Sequence, residues 1–296
     1  MAVAWVFPGQ GSQKLGMAEA VLPLPGAAER FGQASDLLGR DLLAICAGTA
    51  SGDLADLNDT RNTQPALFVI ESLLVDALRQ QGRSPALVAG HSLGELVALY
   101  AAGVFDAATG LRLMRRRSEL MAAAGGGSMT AVMGFERARL EELVAAAEGV
   151  VIANDNSDAQ VVLSGTPVAV AAVTEALGCK RAVPLAVSGA FHSPFMAEAA
   201  AAFTAELDGV PFADASVPVL SNTDPSPETN ADALKQRLRR QMVQGVRWRE
   251  TMARLMSEGI DTAVEIGPGA VLSGLIKRGC PGLVTAQIVG AADLGR

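Results

Sequence analysis

The residues in this chain best suited to chemistry are a serine between glycines, in Gly90-His91-Ser92-Leu93-Gly94, and one of its two histidines. A serine hydroxyl is a weak nucleophile, so it must stand exposed on a tight turn beside a proton acceptor. A G-x-S-x-G pentapeptide supplies that turn when a strand precedes it and a helix follows. Here the apolar run 87–89 comes before it and a helical pattern over 93–102 comes after. The glycines admit strained dihedrals and the close approach of another segment. A helix start directs backbone N–H groups at developing negative charge, which makes the Leu93 N–H a natural oxyanion donor. The pattern also arises by chance in a chain with 31 glycines, so its strand–turn–helix setting carries the weight.

Such a serine needs a base, and histidine is the usual one. His91 adjoins the nucleophile, and neighbouring side chains on a sharp turn point apart. That leaves His192, in a loop after a strand-like run, placed to project into a cleft. No Asp or Glu stands out as a third member that would orient the imidazole. A dyad with a carbonyl on Nδ1–H and a triad therefore both stay open.

The elements that must hold these residues read as α/β. Apolar strand-like runs alternate with longer helical patterns, which argues for βαβ units and a parallel sheet. Residues 3–7 form the first run, closed by Pro8-Gly9-Gln10-Gly11; helical periodicity follows over 66–80. Near the other end, a run over 262–266 meets Gly267-Pro268-Gly269 and a helix over 271–278. That turn lacks the lysine and spacing of a phosphate-binding loop. After Gly125-Gly126-Gly127 the order changes to strand (129–134), helix (137–147), strand (150–154), strand (160–164), helix (168–177) and strand (181–186). This βαββαβ order is the ferredoxin-like pattern. The expected organisation is a large discontinuous α/β domain, 1–126 and 189–296, with a small ferredoxin-like α+β subdomain, 127–188, inserted in it.

Composition narrows the function classes. A chain of 296 residues buries a sizeable core. Its net charge of −7 argues against general nucleic-acid binding, which needs a basic footprint. The most apolar stretch, 66–78, is interrupted by Glu71 and Asp76, so no membrane span is expected. The N-terminal run lacks a basic flank and reads as a buried strand rather than a signal peptide. Cys46, Cys179 and Cys280 lie far apart without CxxC spacing, which points to a reducing cytoplasm and to neither a metal site nor a disulfide framework.

Four segments together resemble one family. They are Phe7-Pro8-Gly9-Gln10-Gly11-Ser12-Gln13, Gly90-His91-Ser92-Leu93-Gly94-Glu95, Gly189-Ala190-Phe191-His192-Ser193 and Glu265-Ile266-Gly267-Pro268-Gly269. In this order, across essentially the whole chain, they resemble the malonyl-CoA:acyl carrier protein transacylases, a family that includes the acyltransferase domains of fatty acid and polyketide synthases. The resemblance implies a hydrolase-like α/β domain with a ferredoxin-like insertion. It also implies a Ser–His dyad, matched by Ser92 and His192, and an oxyanion hole from the Gln10 and Leu93 N–H groups. The family's carboxylate-binding arginine matches Arg117 in Arg117-Ser118-Glu119-Leu120-Met121. The family often carries glycine where this chain has Ser118, and Arg115 and Arg116 adjoin; Arg117 keeps the spacing to Met121. By chain spacing, the residue whose carbonyl orients the histidine is Gln241.

The implied activity is ping-pong transfer of malonyl from malonyl-CoA to the phosphopantetheine thiol of an acyl carrier protein, through a malonyl-Ser92 ester, with no bound cofactor. Guanidinium binds carboxylate through paired hydrogen bonds, so a buried Arg117 selects malonyl over acetyl. Phe191 crowds an α-substituent, as in malonyl rather than methylmalonyl enzymes. Gln64, in the family-like Thr63-Gln64-Pro65, is a further cleft-lining candidate. A helix over 231–242, with Lys235, Arg237, Arg239 and Arg240, is a candidate basic patch for an acidic carrier protein. A trans-acting polyketide acyltransferase shares this chemistry; a serine esterase or thioesterase is the more distant alternative.

Overall fold

The expected alternation is visible in the computed structural model, which describes residues 2–187 and 189–295. Strand β1 (Val3–Phe7) is followed by helices α1 (Ala27–Leu38), α2 (Leu42–Ala47) and α3 (Thr60–Gln80). Next come β2 (Leu87–Gly90), α4 (Gly94–Ala101) and α5 (Ala107–Ala123). The middle of the chain runs β3 (Ser128–Met133), α6 (Arg137–Ala146), β4 (Val150–Ser157), β5 (Gln160–Gly165), α7 (Pro167–Leu177) and β6 (Arg181–Pro184). It closes with α8 (Ala197–Asp208), β7 (Val219–Leu220), α9 (Ala231–Arg240), α10 (Trp248–Ser257), β8 (Thr262–Ile266), α11 (Val271–Gly279) and β9 (Val284–Ile288).

The strands sort into two sheets. One has five strands in the order β7-β2-β1-β8-β9, every neighbouring pair parallel. Helices cover both of its faces, so β1 and β2 carry uninterrupted apolar residues rather than an alternation. The other sheet has four antiparallel strands, β4-β5-β3-β6, the ferredoxin-like order. Val132, Val161 and Leu163 on its strands pack against Leu140 of α6 and Val170, Val173 and Leu177 of α7 as a separate small core. Edge strand β4 is stitched to the larger body. Val246 N–H donates to Ala153 O (2.8 Å), Asp155 N–H donates to Val246 O (2.9 Å), and Arg249 pairs with Asp155 (3.0 Å). Ser188, at the expected subdomain boundary, lies outside the described residues.

Two helix ends differ from the sequence expectation by two residues or more, and both differences matter. Helix α3 starts at Thr60, six residues before the expected 66, although Pro65 lies inside it. A proline removes the N–H that would bond the carbonyl four residues back. That carbonyl, Arg61 O, instead accepts from Arg40 Nη2 at 2.7 Å, and Asp59 caps the first turn. Thr60 and Gln64 thereby sit on a buried helix face. Helix α9 ends at Arg240 rather than 242, leaving Gln241 at its C-cap, where carbonyls lack intrahelical partners.

Candidate active site

The pocket lies at the carboxyl edge of the parallel sheet, where β1, β2 and β7 hand over to loops. Ser92 stands two residues past the end of β2 and takes φ +53°; His192 takes φ +55°. Among the described non-glycine residues these are the only two with positive φ, strain of the kind that clusters at functional sites. The flanking glycines serve close approach rather than unusual dihedrals. A Cβ on Gly94 would sit 2.2 Å from Phe7 O, and one on Gly90 would sit 1.9 Å from Gly94 O. Asn222, just past β7, clamps the turn: its Oδ1 accepts from Ser92 N–H (2.7 Å) and its Nδ2 donates to Gly90 O (2.5 Å).

Ser92 Oγ and His192 Nε2 are 2.8 Å apart, and His192 Nδ1 is 2.8 Å from Gln241 O. With Nδ1–H donating to that carbonyl, Nε2 is left as the acceptor facing the serine, the tautomer a general base needs. No carboxylate touches the imidazole among its hydrogen bonds, so the arrangement is a dyad with a carbonyl support. Burial, reinforced by the positive charge of Arg117, lowers the His192 pKa to about 3, so the ring is neutral at ordinary pH. The end of α9 lends partial negative charge to the imidazolium that forms during proton transfer. His91 faces away from this role, with Nε2 2.8 Å from Asn156 Oδ1 and the ring edge-on to Trp248.

Arg117 reaches the same point from α5. Its side chain is fully buried, Nη2 donates to Ser92 Oγ (3.1 Å), and Nη1 donates to Gln64 Oε1 (2.7 Å). Nε and Nη2 both donate to Gln241 Oε1, at 3.1 and 2.9 Å. All four of these bonds end on neutral oxygens. Burial lowers the guanidinium pKa to about 10, which leaves it charged. Arg115 and Arg116 pair with Glu119 and Glu206 at the surface. Gln64 in turn donates to Thr60 Oγ1 (2.9 Å) and Met121 Sδ (3.4 Å), and Thr60 donates to Gln10 Oε1 (2.8 Å). A polar chain thus runs from the first loop to the arginine.

These residues enclose a cavity of about 70 Å³, walled by Leu93, Met121, Met129, Leu185, Val187 and Phe191. Neither Leu93 N–H nor Gln10 N–H donates to another described residue, which leaves both available to an incoming oxygen. The cavity opens on two grooves. One is flanked by Asp53, Asp56, Asp59 and Glu119 around Arg61; the other, along β4 and α11, carries Arg278 and no acid.

The sequence expectation missed two members. Glu95 is buried behind Ser92, and Asn222 holds the turn. Glu95 stands in the quoted serine segment, the only charge in an apolar helix, and that was its signal. The basic helix face is a correction: Arg237 is buried against Asp224 and Glu228, Arg239 pairs with Asp208, and Lys235 bonds Val210 O. Of the four cations only Arg240 is exposed.

The chain is similar to known proteins over its whole length. An acyl transferase domain family model matches residues 4–293. A curated Synechocystis sp. protein named malonyl CoA-acyl carrier protein transacylase is 52% identical over 99% of both chains. The Escherichia coli K12 protein of the same name is 42% identical over 93% of this chain and 92% of its own. The crystal structure of the Synechocystis malonyl-CoA:ACP transacylase covers 100% of this chain and 99% of its own, with a TM-score of 0.95 and 52% identity.

Proposed function

The chain belongs to the acyl transferase domain family, and on that premise we propose that it moves malonyl from malonyl-CoA to the phosphopantetheine thiol of an acyl carrier protein, supplying extender units for fatty acid synthesis. The observation that carries this reading is Arg117: a fully buried guanidinium, 3.1 Å from Ser92 Oγ, whose hydrogen bonds all end on neutral oxygens. A buried cation in that state is a site for an anion, and guanidinium geometry suits a carboxylate. Malonyl has a carboxylate one methylene from its thioester carbonyl. With the carboxylate on Arg117, the carbonyl carbon lies beside Ser92, so binding also orients the reacting centre.

In the first half-reaction Ser92 Oγ attacks the thioester carbon while its proton passes to His192 Nε2. The Leu93 and Gln10 N–H groups hold the oxyanion. The C–S bond then breaks, the coenzyme A sulfur takes the proton from His192, and a malonyl-Ser92 ester remains. In the second half, the carrier-protein thiol gives its proton to His192 and attacks the ester. The C–O bond breaks and Ser92 regains its proton. The arriving carboxylate also offsets the Arg117 charge that depresses His192, so the base strengthens when the correct acyl group is present. The apolar walls of Met121, Met129, Leu185 and Phe191 disfavour water at the ester. The groove with Arg278, rather than the acidic one, suits the anionic phosphate of the pantetheine arm. No cofactor has a role in this scheme, and the cytoplasm is the proposed compartment, in keeping with three free thiols.

The test is transfer to holo acyl carrier protein from malonyl-, acetyl- and methylmalonyl-CoA in parallel. Malonyl is expected to lead the other two by at least about tenfold in kcat/KM, since each poorer acyl group forfeits a charged hydrogen-bonded pair or clashes with Phe191. Equal rates with acetyl-CoA, or hydrolysis outrunning transfer, would overturn the reading.

A further inference from the structure

Glu95 is fully buried one turn behind the nucleophile, and the reaction scheme gives it no task. Its Oε2 accepts from Gln241 Nε2 (2.7 Å) and Asn222 N–H (3.1 Å), while Oε1 has no hydrogen-bond partner. A carboxylate taken out of water in this way is costly unless a positive charge answers it. The answering charge is Arg117, on the far side of one amide. Gln241 accepts from the guanidinium through Oε1 and donates to Glu95 through Nε2, so its dipole lies along the line between the two charges. The effect is mutual. Burial raises the Glu95 pKa and Arg117 draws it down, while Glu95 supports the protonated state of Arg117.

The surroundings single out this pair. Besides Arg117 on α5, the groups that face Glu95 are the amide of Gln241 after α9 and Ser221 and Asn222 after β7, all uncharged. His91 acts on His192, and neither histidine is among the groups that shift Glu95. Two other buried carboxylates, Glu71 and Glu265, face each other by Gly267 instead.

We infer that Glu95 is the resident counter-charge of Arg117, relayed through the Gln241 amide, and that it weakens the pocket's grip on the acyl carboxylate so that a malonyl group, once loaded, can leave. The inference rests on the proposed malonyl transfer and deepens it. A guanidinium with no other anion near it would hold the malonyl-enzyme in a deep well, and ground-state binding of that kind slows turnover. With Glu95 present, the substrate carboxylate gains only part of the guanidinium charge. Glu95 is thus a positioning residue that acts through Gln241 and sets acyl-carboxylate affinity.

A merely structural role predicts that any change at Glu95 loosens the pocket. The counter-charge role predicts the opposite sign for a neutral isostere. The probe is malonate, as a competitive inhibitor against malonyl-CoA, with wild type, Glu95→Gln and Glu95→Asp. Glu95→Gln is expected to lower the malonate Ki about tenfold, equal to ~1.4 kcal/mol. Glu95→Asp, which keeps the charge, should stay within about threefold of wild type on the same scale. An unchanged or raised Ki in Glu95→Gln, or the same shift in both variants, overturns the inference. If Glu95→Gln fails to fold, the double variant Glu95→Gln/Arg117→Met decides. Removing both charges should restore a cooperative melt, and failure to do so overturns the pairing. A wild type that neither accepts label from malonyl-CoA nor is inhibited by malonate would overturn the proposed function itself. A wild type that transfers malonyl while the Ki stays flat removes the counter-charge role alone.

Discussion

One wall of the pocket comes from five consecutive residues, Gly90 to Gly94, whereas the opposite wall draws Gln64 from α3, Arg117 from α5 and Gln241 from the end of α9. The first wall is set by local sterics: two glycines lack room for a Cβ, and a strained serine is pushed to the tip of a turn. The second is set by packing and by matching donors to acceptors across the core. Its guanidinium is fixed by neutral oxygens brought together from distant parts of the chain. The difference teaches how this architecture divides labour. The turn that presents the serine is a compact unit of strand, turn and helix, and His192 reaches it from a loop 100 residues further along the chain. On the proposed function, choice of the acyl group depends on the alignment of three separate helices.

The largest effect should come from breaking the bond-making side. His192→Ala is expected to cut transfer by about 10⁴-fold while leaving the fold intact, as loss of one member of a nucleophile–base unit does elsewhere. Stopped-flow acylation paired with a thermal melt checks both halves. On the selecting side, Arg117→Ala should lower kcat/KM for malonyl-CoA about 100-fold, the scale of two lost charged hydrogen bonds. Its rate with acetyl-CoA should change far less, so acyl preference shifts toward the uncharged group. An unchanged preference would show that the second wall does not select.

Asn222→Ala tests whether the turn is as local as it looks. The clamp comes from outside the pentapeptide, and its loss should reduce kcat about thirtyfold with little change in KM, since two buried hydrogen bonds of about 1 kcal/mol each are lost. A smaller effect belongs to pH. An ordinary histidine is half protonated near 6.5, but His192, lowered to about 3, stays neutral, so the acylation rate should be flat down through pH 6.5. The sign for stability follows from the same shift. Between 6.5 and about 3 the unfolded chain binds more protons at this site than the folded one, so stability falls as pH falls through that window. A rate that halves near 6.5 would contradict the burial argument. The smallest effect is expected for Arg239→Glu, already paired with Asp208, with carrier-protein KM moving less than about twofold because partly exposed pairs contribute little.

Legibility in the sequence follows the same division. Ser92, Leu93 and the strand–turn–helix around them were readable from spacing, because their geometry is dictated within a few residues. The α/β alternation and the βαββαβ middle were readable for the same reason, since periodicity is local. His192 required the scarcity of histidines. Arg117, Gln10 and Gln241 required a family resemblance, because nothing in the local pattern says that three helices converge. Helix α3 begins six residues before the apolar periodicity does, and only the fold reveals Arg40 reaching the carbonyl that Pro65 frees in its first turns. Glu95 is the one charge in an apolar helix, but its link to Arg117, 22 residues further along the chain, runs through Gln241 and is visible only in the fold. The basic face of α9 shows the limit of counting charges: its arginines are mostly spent on intramolecular carboxylates.

The central claim is that Ser92 carries malonyl and passes it to a carrier protein. The direct measurement is incubation of wild type and Ser92→Ala with radiolabelled malonyl-CoA, followed by a chase with holo acyl carrier protein. The account predicts acid-stable label on wild type alone, and its passage to the carrier protein faster than its loss to water. Label on Ser92→Ala, or label lost to water at one rate with or without carrier protein, would contradict it.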